Sequence, residues 1–418
     1  MGRQDLIRED VSLSDRYDLT KSPVLLNGTQ ALVRLMLMQQ ARDRAAGLHT
    51  AGYCTGYRGS PLGAVDLTMS KAKRELEAAD VLFQPGLNED LAATAIWGSQ
   101  QAELRGEGRY DGVFALWYGK GPGVDRTGDV MRHANMAGSS RHGGVLMAMG
   151  DDHTGESSTV LHQSDWAMVD AYMPVVSPAG VQEVLDYGLY GWALSRFSGL
   201  WVGLKTMKDT VEATAVVHGD PHRMAFVLPD FRMPQGGLNI RLGDTPVAQE
   251  ARMIDFKRFA AEAFSHANKM DKRVMGRPGA KIGFVAAGKN WLDLTHALSL
   301  LGIDAHEAER LGLTTYKVGQ TFPMDMRGFS DWAEGLELIV VVEEKRKLIE
   351  VQVKEAIFDN RRGRRVHGWK HDRTHEELFP TRYALDPMLI AEKLGGTLDV
   401  ANARDGSGTV ATLSLPVT

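Results

Sequence analysis

Residues 49–63, His-Thr-Ala-Gly-Tyr-Cys-Thr-Gly-Tyr-Arg-Gly-Ser-Pro-Leu-Gly, join an apolar run to a turn rich in glycine. The run from His49 to Thr55 predicts a buried strand, Gly56 to Gly63 a loop, and Ala64 to Ala78 a helix. A strand, a loop and a helix in this order are typical of one βα unit of a parallel sheet.

The same alternation continues along the first half of the chain. Further strands are predicted at Val81–Gln84, Gly112–Trp117, Val145–Met149 and Trp201–Lys205. Helices are predicted between them at Asn88–Leu104, Asp125–Ala137 and Ala179–Arg196. We therefore expect residues 1–217 to form an α/β domain with a doubly wound, mostly parallel sheet.

A second α/β domain is predicted beyond a connector. Residues 218–279 lose the alternation and contain one long helical pattern. Residues 280–360 regain it, with predicted strands at Lys281–Ala287, Thr314–Lys317 and Leu336–Val342. Residues 361–418 are expected to be a tail with a helix at Pro387–Lys393.

The composition is that of a soluble globular protein with two or three domains. The chain has 418 residues, of which 43% are hydrophobic and 24% charged, and its net charge is -5. This charge gives no case for a nucleic-acid partner, and the basic run 361–365 is interpreted as a solvated loop. No membrane partner is expected, because no apolar run of about eighteen residues occurs.

Cys54 is the chain's one cysteine. A disulfide framework within the chain is excluded, as is an iron–sulfur cluster, which takes about four thiolates. The first ten residues lack the apolar core of a signal peptide. Together these features predict a cytoplasmic protein.

One carboxylate stands out in the stretch Leu87–Gln101. Asn88 is expected to cap a helix, which places Glu89 in its first turn, ahead of a run of small residues that would let a flat ligand approach closely. The alternative is that Glu89 is only a first-turn acid favoured by the helix dipole.

Seven blocks in this order resemble the first part of the indolepyruvate ferredoxin oxidoreductases, which are thiamine-dependent 2-oxoacid:ferredoxin oxidoreductases. The blocks are Gly56–Gly63, Leu87–Gln101, Tyr118–Arg126, Gly150–Ser158, Lys281–Lys289, Leu313–Phe322 and Val340–Arg346. The resemblance implies a pyrimidine-type thiamine diphosphate domain followed by a smaller domain like the carboxyl-terminal domain of transketolase.

The resemblance assigns the catalytic role to Glu89, which with Asn88 would meet the cofactor's aminopyrimidine and promote formation of its ylide. Ser60 and Pro61 match the family's substrate loop, and Arg58 could pair with a 2-oxoacid carboxylate. A solvent-exposed Arg58 in a simple tight turn remains the alternative.

Two further loops are assigned to the cofactor side of the site. Lys120 and Gly121 begin a glycine-rich turn that is not a phosphate-binding P-loop, and a gating or subunit-contact role is an equal alternative. Asp151, Asp152 and His153 correspond to a turn that shapes the cofactor and domain interface in the resembled family. A metal centre built from these residues with Glu156, His162, His133 and His142 is disfavoured, because their spacing matches no zinc signature.

The resemblance also predicts a partner chain. No Gly-Asp-Gly motif for diphosphate and Mg2+ is present, and the cluster-binding cysteines are missing. We therefore expect one subunit of an oligomeric enzyme whose partner carries Mg2+ and iron–sulfur clusters. The enzyme would convert an aryl 2-oxoacid and coenzyme A to acyl-CoA and CO2 and reduce ferredoxin. The alternatives are a subunit of a non-oxidative thiamine enzyme and a non-catalytic binding module or fragment.

Overall fold

The computed structural model describes residues 8–156 and 160–395 and the strands 398–402 and 409–413. The chain divides into two compact units after Asn268. This division falls inside the stretch 218–279 that is predicted to be a connector. Each unit contains its own parallel sheet.

The first unit alternates strands and helices. Its strands are β1 (Val24–Asn27), β2 (Thr50–Gly56), β3 (Val81–Phe83), β4 (Gly112–Lys120), β5 (Val145–Asp151), β6 (Val175–Val176), β7 (Val202–Met207) and β8 (Thr214–Val217). Its α-helices are α1 (Gly28–Ala45), α2 (Val65–Lys71), α3 (Lys73–Ala78), α4 (Glu89–Ser99), α5 (Gly121–Arg126), α6 (Gly128–Ala137), α7 (Asp165–Asp170), α8 (Val181–Ser198), α9 (Lys208–Val211), α10 (Pro246–Arg252) and α11 (Arg258–Asn268). A 3-10 turn at Leu13–Tyr17 and a π-helical turn at Met253–Lys257 complete this list.

Six of these strands lie parallel in the order β6-β7-β5-β4-β2-β3. Every residue of β5 is buried, as expected for a strand covered on both faces. The predicted doubly wound, mostly parallel α/β sheet is therefore confirmed. β1 and β8 form a separate antiparallel ribbon in which Val24 pairs with Val217.

Arg34 on α1 is fully buried and fixes the amino-terminal segment to the first unit. Its guanidinium donates to the carbonyl of Gly219 at 2.7 Å and to that of Lys21 at 2.9 Å. It also donates to the carbonyls of Asp15, Arg16 and Asp18. Burial lowers the pKa of Arg34 to about 10, so the side chain stays charged at neutral pH.

Lys257 in the π-helical turn is also fully buried. Its ammonium donates to the carbonyls of Asn135 and Met136, in the last turn of α6, at 3.2 and 3.3 Å. A third acceptor at 3.3 Å is the carbonyl of Gly199, the residue that ends α8 with a φ of 69°. Lys257 thus satisfies carbonyl groups that helix ends leave without intrahelical partners.

The second unit has a smaller sheet. Its strands are β9 (Lys272–Met275), β10 (Ile282–Ala287), β11 (Leu313–Val318), β12 (Gln320–Phe322), β13 (Leu338–Val341), β14 (Arg365–His367), β15 (Leu398–Asn402) and β16 (Thr409–Leu413). Its helices are α12 (Gly288–Leu300), α13 (Ala305–Leu311), α14 (Met326–Trp332), α15 (Ile349–Ile357) and α16 (Pro387–Leu394). The sheet order is β14-β13-β10-β11-β9, with only β9 antiparallel to its neighbour, and β15 pairs with β16 separately.

The predicted tail is partly integrated into this unit. The helix expected at Pro387–Lys393 is confirmed as α16. The solvated-loop interpretation of 361–365 is wrong for its last two residues. Arg364 is buried, and Arg365 begins β14, which pairs in parallel with β13.

Candidate active site

A crevice is expected between β2 and β4 at their carboxyl ends. Along the chain, β2 is followed by β3 on one side of it in the sheet, whereas β4 lies on the other side. Ligands bind at such a switch point in open parallel sheets. The loop Gly56–Gly63 follows β2 and α5 follows β4, so both predicted chemical loops border this crevice.

Glu89 begins α4, as the sequence predicts. The side chain of Asn88 accepts a hydrogen bond from the Leu91 N–H at 2.8 Å and caps the helix. The indole N–H of Trp117, on β4, donates to the carbonyl of Glu89 at 3.1 Å. Glu89 itself is 7% exposed. A buried carboxylate is thereby fixed to the strand that borders the crevice.

The Glu89 side chain packs against the backbone of Gly123 in α5. A Cβ at Gly123 would lie 2.5 Å from Cγ and 2.7 Å from Oε1 of Glu89, so only glycine leaves room for this side chain. Within the described residues, the Glu89 carboxylate forms no hydrogen bond or ion pair. Covering a carboxylate completely is costly unless a partner pairs with it. The arrangement therefore suits a ligand that supplies the missing donor.

The loop Gly56–Gly63 is held against β4 by close backbone contacts. The Tyr57 N–H donates to the carbonyl of Tyr118 at 3.0 Å, and a Cβ at Gly56 would lie 2.1 Å from that oxygen. Tyr118 donates its own hydroxyl proton to Asp66 at 2.5 Å. Burial is the main cause that raises the pKa of Tyr118 above its ordinary value, so this phenol is a hydrogen-bond donor at neutral pH.

The predicted substrate residues differ in their exposure. Pro61 is buried, and its Cδ would lie 3.0 Å from a Cβ added at Gly150, at the end of β5. Ser60 is half-buried and joined to Pro61 by a cis peptide bond. Arg58 is exposed, and no carboxylate among the described residues pairs with it. Its side chain is therefore available either to a substrate or to solvent.

Lys120 and Gly121 contact two neighbouring loops. The Lys120 side chain lies over Gly59, where an added Cβ would be 2.8 Å from the lysine Cδ. In the described part of the chain, its ammonium forms no ion pair. Gly121 lies under the ring of His162, where an added Cβ would be 2.3 Å from Nδ1. Glycine at this position is required by the histidine.

Asp151 is the centre of a buried network at the end of β5. It accepts hydrogen bonds from the backbone N–H of Ser164 at 3.0 Å and from its hydroxyl at 2.5 Å. His153, His162 and Lys205 approach it at 3.7 to 3.8 Å. Burial opposes ionisation of Asp151, but the two nearby histidines and the Lys205 charge hold its pKa well below the ordinary value.

His162 extends this network toward α5. Its Nε2 lies 2.7 Å from a carboxylate oxygen of Asp125. Burial disfavours the charged imidazole, but Asp151 and Asp125 outweigh burial and raise the pKa of His162. The link between the β5 and β4 loops was not predicted from sequence, although Asp125 and His162 are the acid and base that flank the two motifs.

Asp152 forms hydrogen bonds within the turn that follows β5. Its carboxylate accepts backbone N–H bonds from Gly155 at 2.9 Å and Glu156 at 3.2 Å, which closes its own turn. His133 lies exposed on α6. Among the described residues, no group of three or more His, Cys, Asp or Glu side chains is arranged to hold a metal ion.

Comparisons with known proteins extend the interpretation to a family. Residues 272–413 match a family described as an indolepyruvate oxidoreductase domain. Relatives named indolepyruvate oxidoreductase subunit IorA occur in Pyrococcus horikoshii and Pyrococcus abyssi. They are 25% and 26% identical over 92% and 90% of this chain, and the matches cover 54% and 53% of their own length. The chain thus spans about half the length of the curated relatives it matches.

Two solved structures share the fold. The 2-oxoglutarate:ferredoxin oxidoreductase from Magnetococcus marinus, solved with 2-oxoglutarate, coenzyme A and succinyl-CoA bound, superimposes with a TM-score of 0.60 at 13% identity. That match covers 90% of this chain and 65% of the other. A split-gene transketolase, described as an inactive beta4 tetramer, has a TM-score of 0.50 at 11% identity over 86% of this chain and 95% of its own.

The fold is therefore that of the transketolase-like domains of 2-oxoacid:ferredoxin oxidoreductases. Within this class, residues 272–413 match the indolepyruvate oxidoreductase domain and most of the chain is similar to the IorA subunits, so the resemblance seen in its motifs is confirmed. Among the helices that the structure describes, none combines the length and the apolar character needed to cross a bilayer.

Proposed function

We propose that this chain binds the aminopyrimidine end of thiamine diphosphate at Glu89 and acts as one subunit of a 2-oxoacid:ferredoxin oxidoreductase. Its substrate would be an aryl 2-oxoacid such as indolepyruvate, converted with coenzyme A to acyl-CoA and CO2 while ferredoxin is reduced. The supporting observation is the buried Glu89 carboxylate, which packs on Gly123 and lacks a protein partner among the described residues.

When bound, thiamine diphosphate would supply a nucleophilic carbon for the substrate carbonyl and a cationic ring that takes up the electron pair left by the departing CO2. Glu89 would hold the aminopyrimidine by sharing a proton with its ring nitrogen N1′. The cap by Asn88 and the hydrogen bond from Trp117 fix the backbone of this acid. That rigidity keeps the carboxylate in one position during turnover.

Substrate recognition is assigned to the loop after β2. Arg58 would pair with the 2-oxoacid carboxylate, and Ser60 would donate a hydrogen bond to the carbonyl oxygen. Buried Pro61 anchors this loop against β5. Lys120 would contribute positive charge on the opposite side of the crevice. The Asp151 network, with His153, would keep the β5 loop in shape beside it, and Asp152 would stabilise the following turn.

A partner chain would supply what these residues do not. It would carry the diphosphate and Mg2+ site and the iron–sulfur clusters. The buried, free thiol of Cys54 fits a reducing compartment, and we place the complex in the cytoplasm.

The proposal is tested by purifying the tagged chain from its native host and assaying the eluate for thiamine, iron and indolepyruvate-dependent reduction of a viologen dye. Glu89→Gln is expected to lower this activity at least about a hundredfold, because it removes the acid that activates the cofactor. Asp90→Asn is the matched control, since Asp90 is the neighbouring first-turn acid. Equal activity in both variants, or elution without thiamine and iron, would contradict the proposal.

A further inference from the structure

A concave cavity of about 500 Å³ lies in the second unit between α15 and the segment that follows β14. Its lining residues are Lys347, Glu350, Lys354, Ile357, Phe358, Arg361, Val366, Trp369, Lys370, His371, Asp372 and His375. Four lysine or arginine side chains and two histidines thus face two carboxylates. The volume is within the range of small-molecule sites.

Trp369 holds two of these cations. The ammonium of Lys347 lies 4.9 Å from the centre of the indole ring, and that of Lys370 lies 4.5 Å from it. Cations at this distance from an aromatic face are attracted to its electrons. In the described part of the chain, neither ammonium has a carboxylate partner. The tryptophan therefore positions two uncompensated charges at the cavity wall.

The two carboxylates of the lining are already engaged. Glu350 is buried, pairs with Lys354 and accepts the backbone N–H of Trp369 at 2.9 Å. Asp372 pairs with Arg365 at 3.2 Å and lies 2.8 Å from Nε2 of His367. Neither acid neutralises Lys347 or Lys370. The field inside the cavity is consequently positive.

Arg361 adds a third cation with unused donors. Its Nε donates to the carbonyl of Arg364 at 2.9 Å, and this bond holds the guanidinium beside the cavity. Among the described residues, its two terminal nitrogens donate to no protein acceptor. Such a guanidinium is well suited to bind two phosphate oxygens at once.

We propose that this cavity binds a phosphorylated small molecule. The phosphate groups would lie among Lys347, Lys370 and Arg361, and the organic part would cover Ile357 and Phe358. Phe358 is 79% exposed, which is unusual for a phenylalanine beside a polar cavity, and a ligand would shield it. The concave shape favours a small molecule over an acidic protein surface. The inference does not depend on the proposed function of Glu89.

The experiment is calorimetric titration of the full chain at low ionic strength with three probes: inorganic pyrophosphate, ADP and adenosine. We expect ADP to bind and adenosine not to bind, because recognition depends on phosphate. Binding should weaken as salt is added. If pyrophosphate binds with the same affinity as ADP, the phosphate groups alone determine binding. If ADP binds more tightly, the organic part also contributes.

Variants locate the binding. Lys347→Gln and Lys370→Gln should each weaken ADP binding about tenfold, whereas Lys347→Arg should retain it because the charge is kept. Lys281→Gln is the matched control, since Lys281 forms an exposed ion pair with Glu337 in the same unit. The proposal is overturned if no phosphorylated probe binds or if Lys281→Gln weakens binding equally. It is also overturned if poly-glutamate binds in a Lys347-dependent manner and ADP does not.

Discussion

At the scale of single residues, the candidate site depends on the contact between the Glu89 side chain and Gly123, which has no side chain of its own. Glu89 could be selected from sequence because it opens a helix of small residues after a capping asparagine. Gly123 could not be selected from sequence, since nothing in Lys-Gly-Pro-Gly indicates which of the two glycines contacts Glu89. The structure makes that choice, because an added Cβ at Gly123 would lie 2.5 Å from Glu89 Cγ.

We expect Gly123→Ala to displace the Glu89 side chain. The clash involves a buried carboxylate in a packed site, so the free energy of unfolding should fall by about 1–3 kcal/mol. Activity of the complete complex should fall with it. Urea denaturation and the dye-reduction assay measure the two effects.

Gly98→Ala, in the same helix as Glu89, is the control. No atom lies within 4 Å of a Cβ added at Gly98. Its helix should gain about 0.5–1 kcal/mol from the better helix former. If both alanine variants behave alike, the proposed contact has no functional importance.

At the scale of secondary structure, β2, β3, β4, β5 and β7 were predictable because each contains an apolar run within the alternation of strands and helices, whereas the two-residue β6 was not predicted. The order of those strands was not predictable, and it is this order that places the loops after β2 and β4 side by side. The β1–β8 ribbon and the two buried cations were not predicted, because they depend on contacts between distant parts of the chain. The β1–β8 ribbon pairs residues about 190 positions apart, and the buried cations Arg34 and Lys257 satisfy carbonyls that no local pattern identifies.

Arg34→Met should lower the free energy of unfolding by about 3–5 kcal/mol. The substitution leaves buried carbonyls of the amino-terminal segment and of Gly219 without a donor. Arg44→Met is the control, because Arg44 makes only exposed contacts with Asp80 and Ala78, and it should cost at most about 1 kcal/mol. Chemical denaturation of both variants checks the difference, and equal losses would refute the buried anchor.

Lys257 gives the first unit a dependence of stability on pH. Burial lowers the pKa of Lys257 from 10.5 to about 7 in the folded chain. Between these values the unfolded chain holds more protons than the folded chain, so the free energy of unfolding contributed by this group rises with pH. Across pH 7 to 9 the slope should be at most about 1.4 kcal/mol per pH unit.

The measurement compares denaturation of the unsubstituted chain and of Lys257→Met at several pH values in this window. The variant has no amine to titrate, and its stability should rise less steeply. Parallel curves would show that the folded chain keeps the amine protonated, in which case the three carbonyl bonds outweigh burial.

At the scale of the whole molecule, the chain combines a first unit with a doubly wound parallel sheet and a second unit that contains the match to the indolepyruvate oxidoreductase domain. Its matches cover about half the length of its curated relatives. The family assignment could be made from the order of short motifs. The charged cavity of the second unit could not, because its lysines, arginine and tryptophan come from α15 and from a segment that the sequence presents as a tail.

The isolated chain should contain no iron–sulfur cluster. Its one cysteine is buried and cannot supply the four thiolates that a cluster takes. After purification without a partner, iron analysis and the visible spectrum are therefore expected to show no cluster, and dye reduction should be absent. Both should appear when the partner chain is added. Stoichiometric iron in the isolated chain would refute the division of labour between the two chains.

The position of Cys54 has one more consequence. This thiol lies at the centre of β2, between Phe83 of β3 and Leu116 of β4, and burial raises its pKa above the ordinary value. A chromogenic disulfide reagent can reach this fully buried thiol only when the structure around β2 opens, so labelling of the native chain measures how often this part of the first unit opens. Since β2 leads directly into the loop of Arg58 and Ser60, any ligand that closes the crevice should slow this labelling. The chain thus contains a built-in kinetic probe of its candidate site.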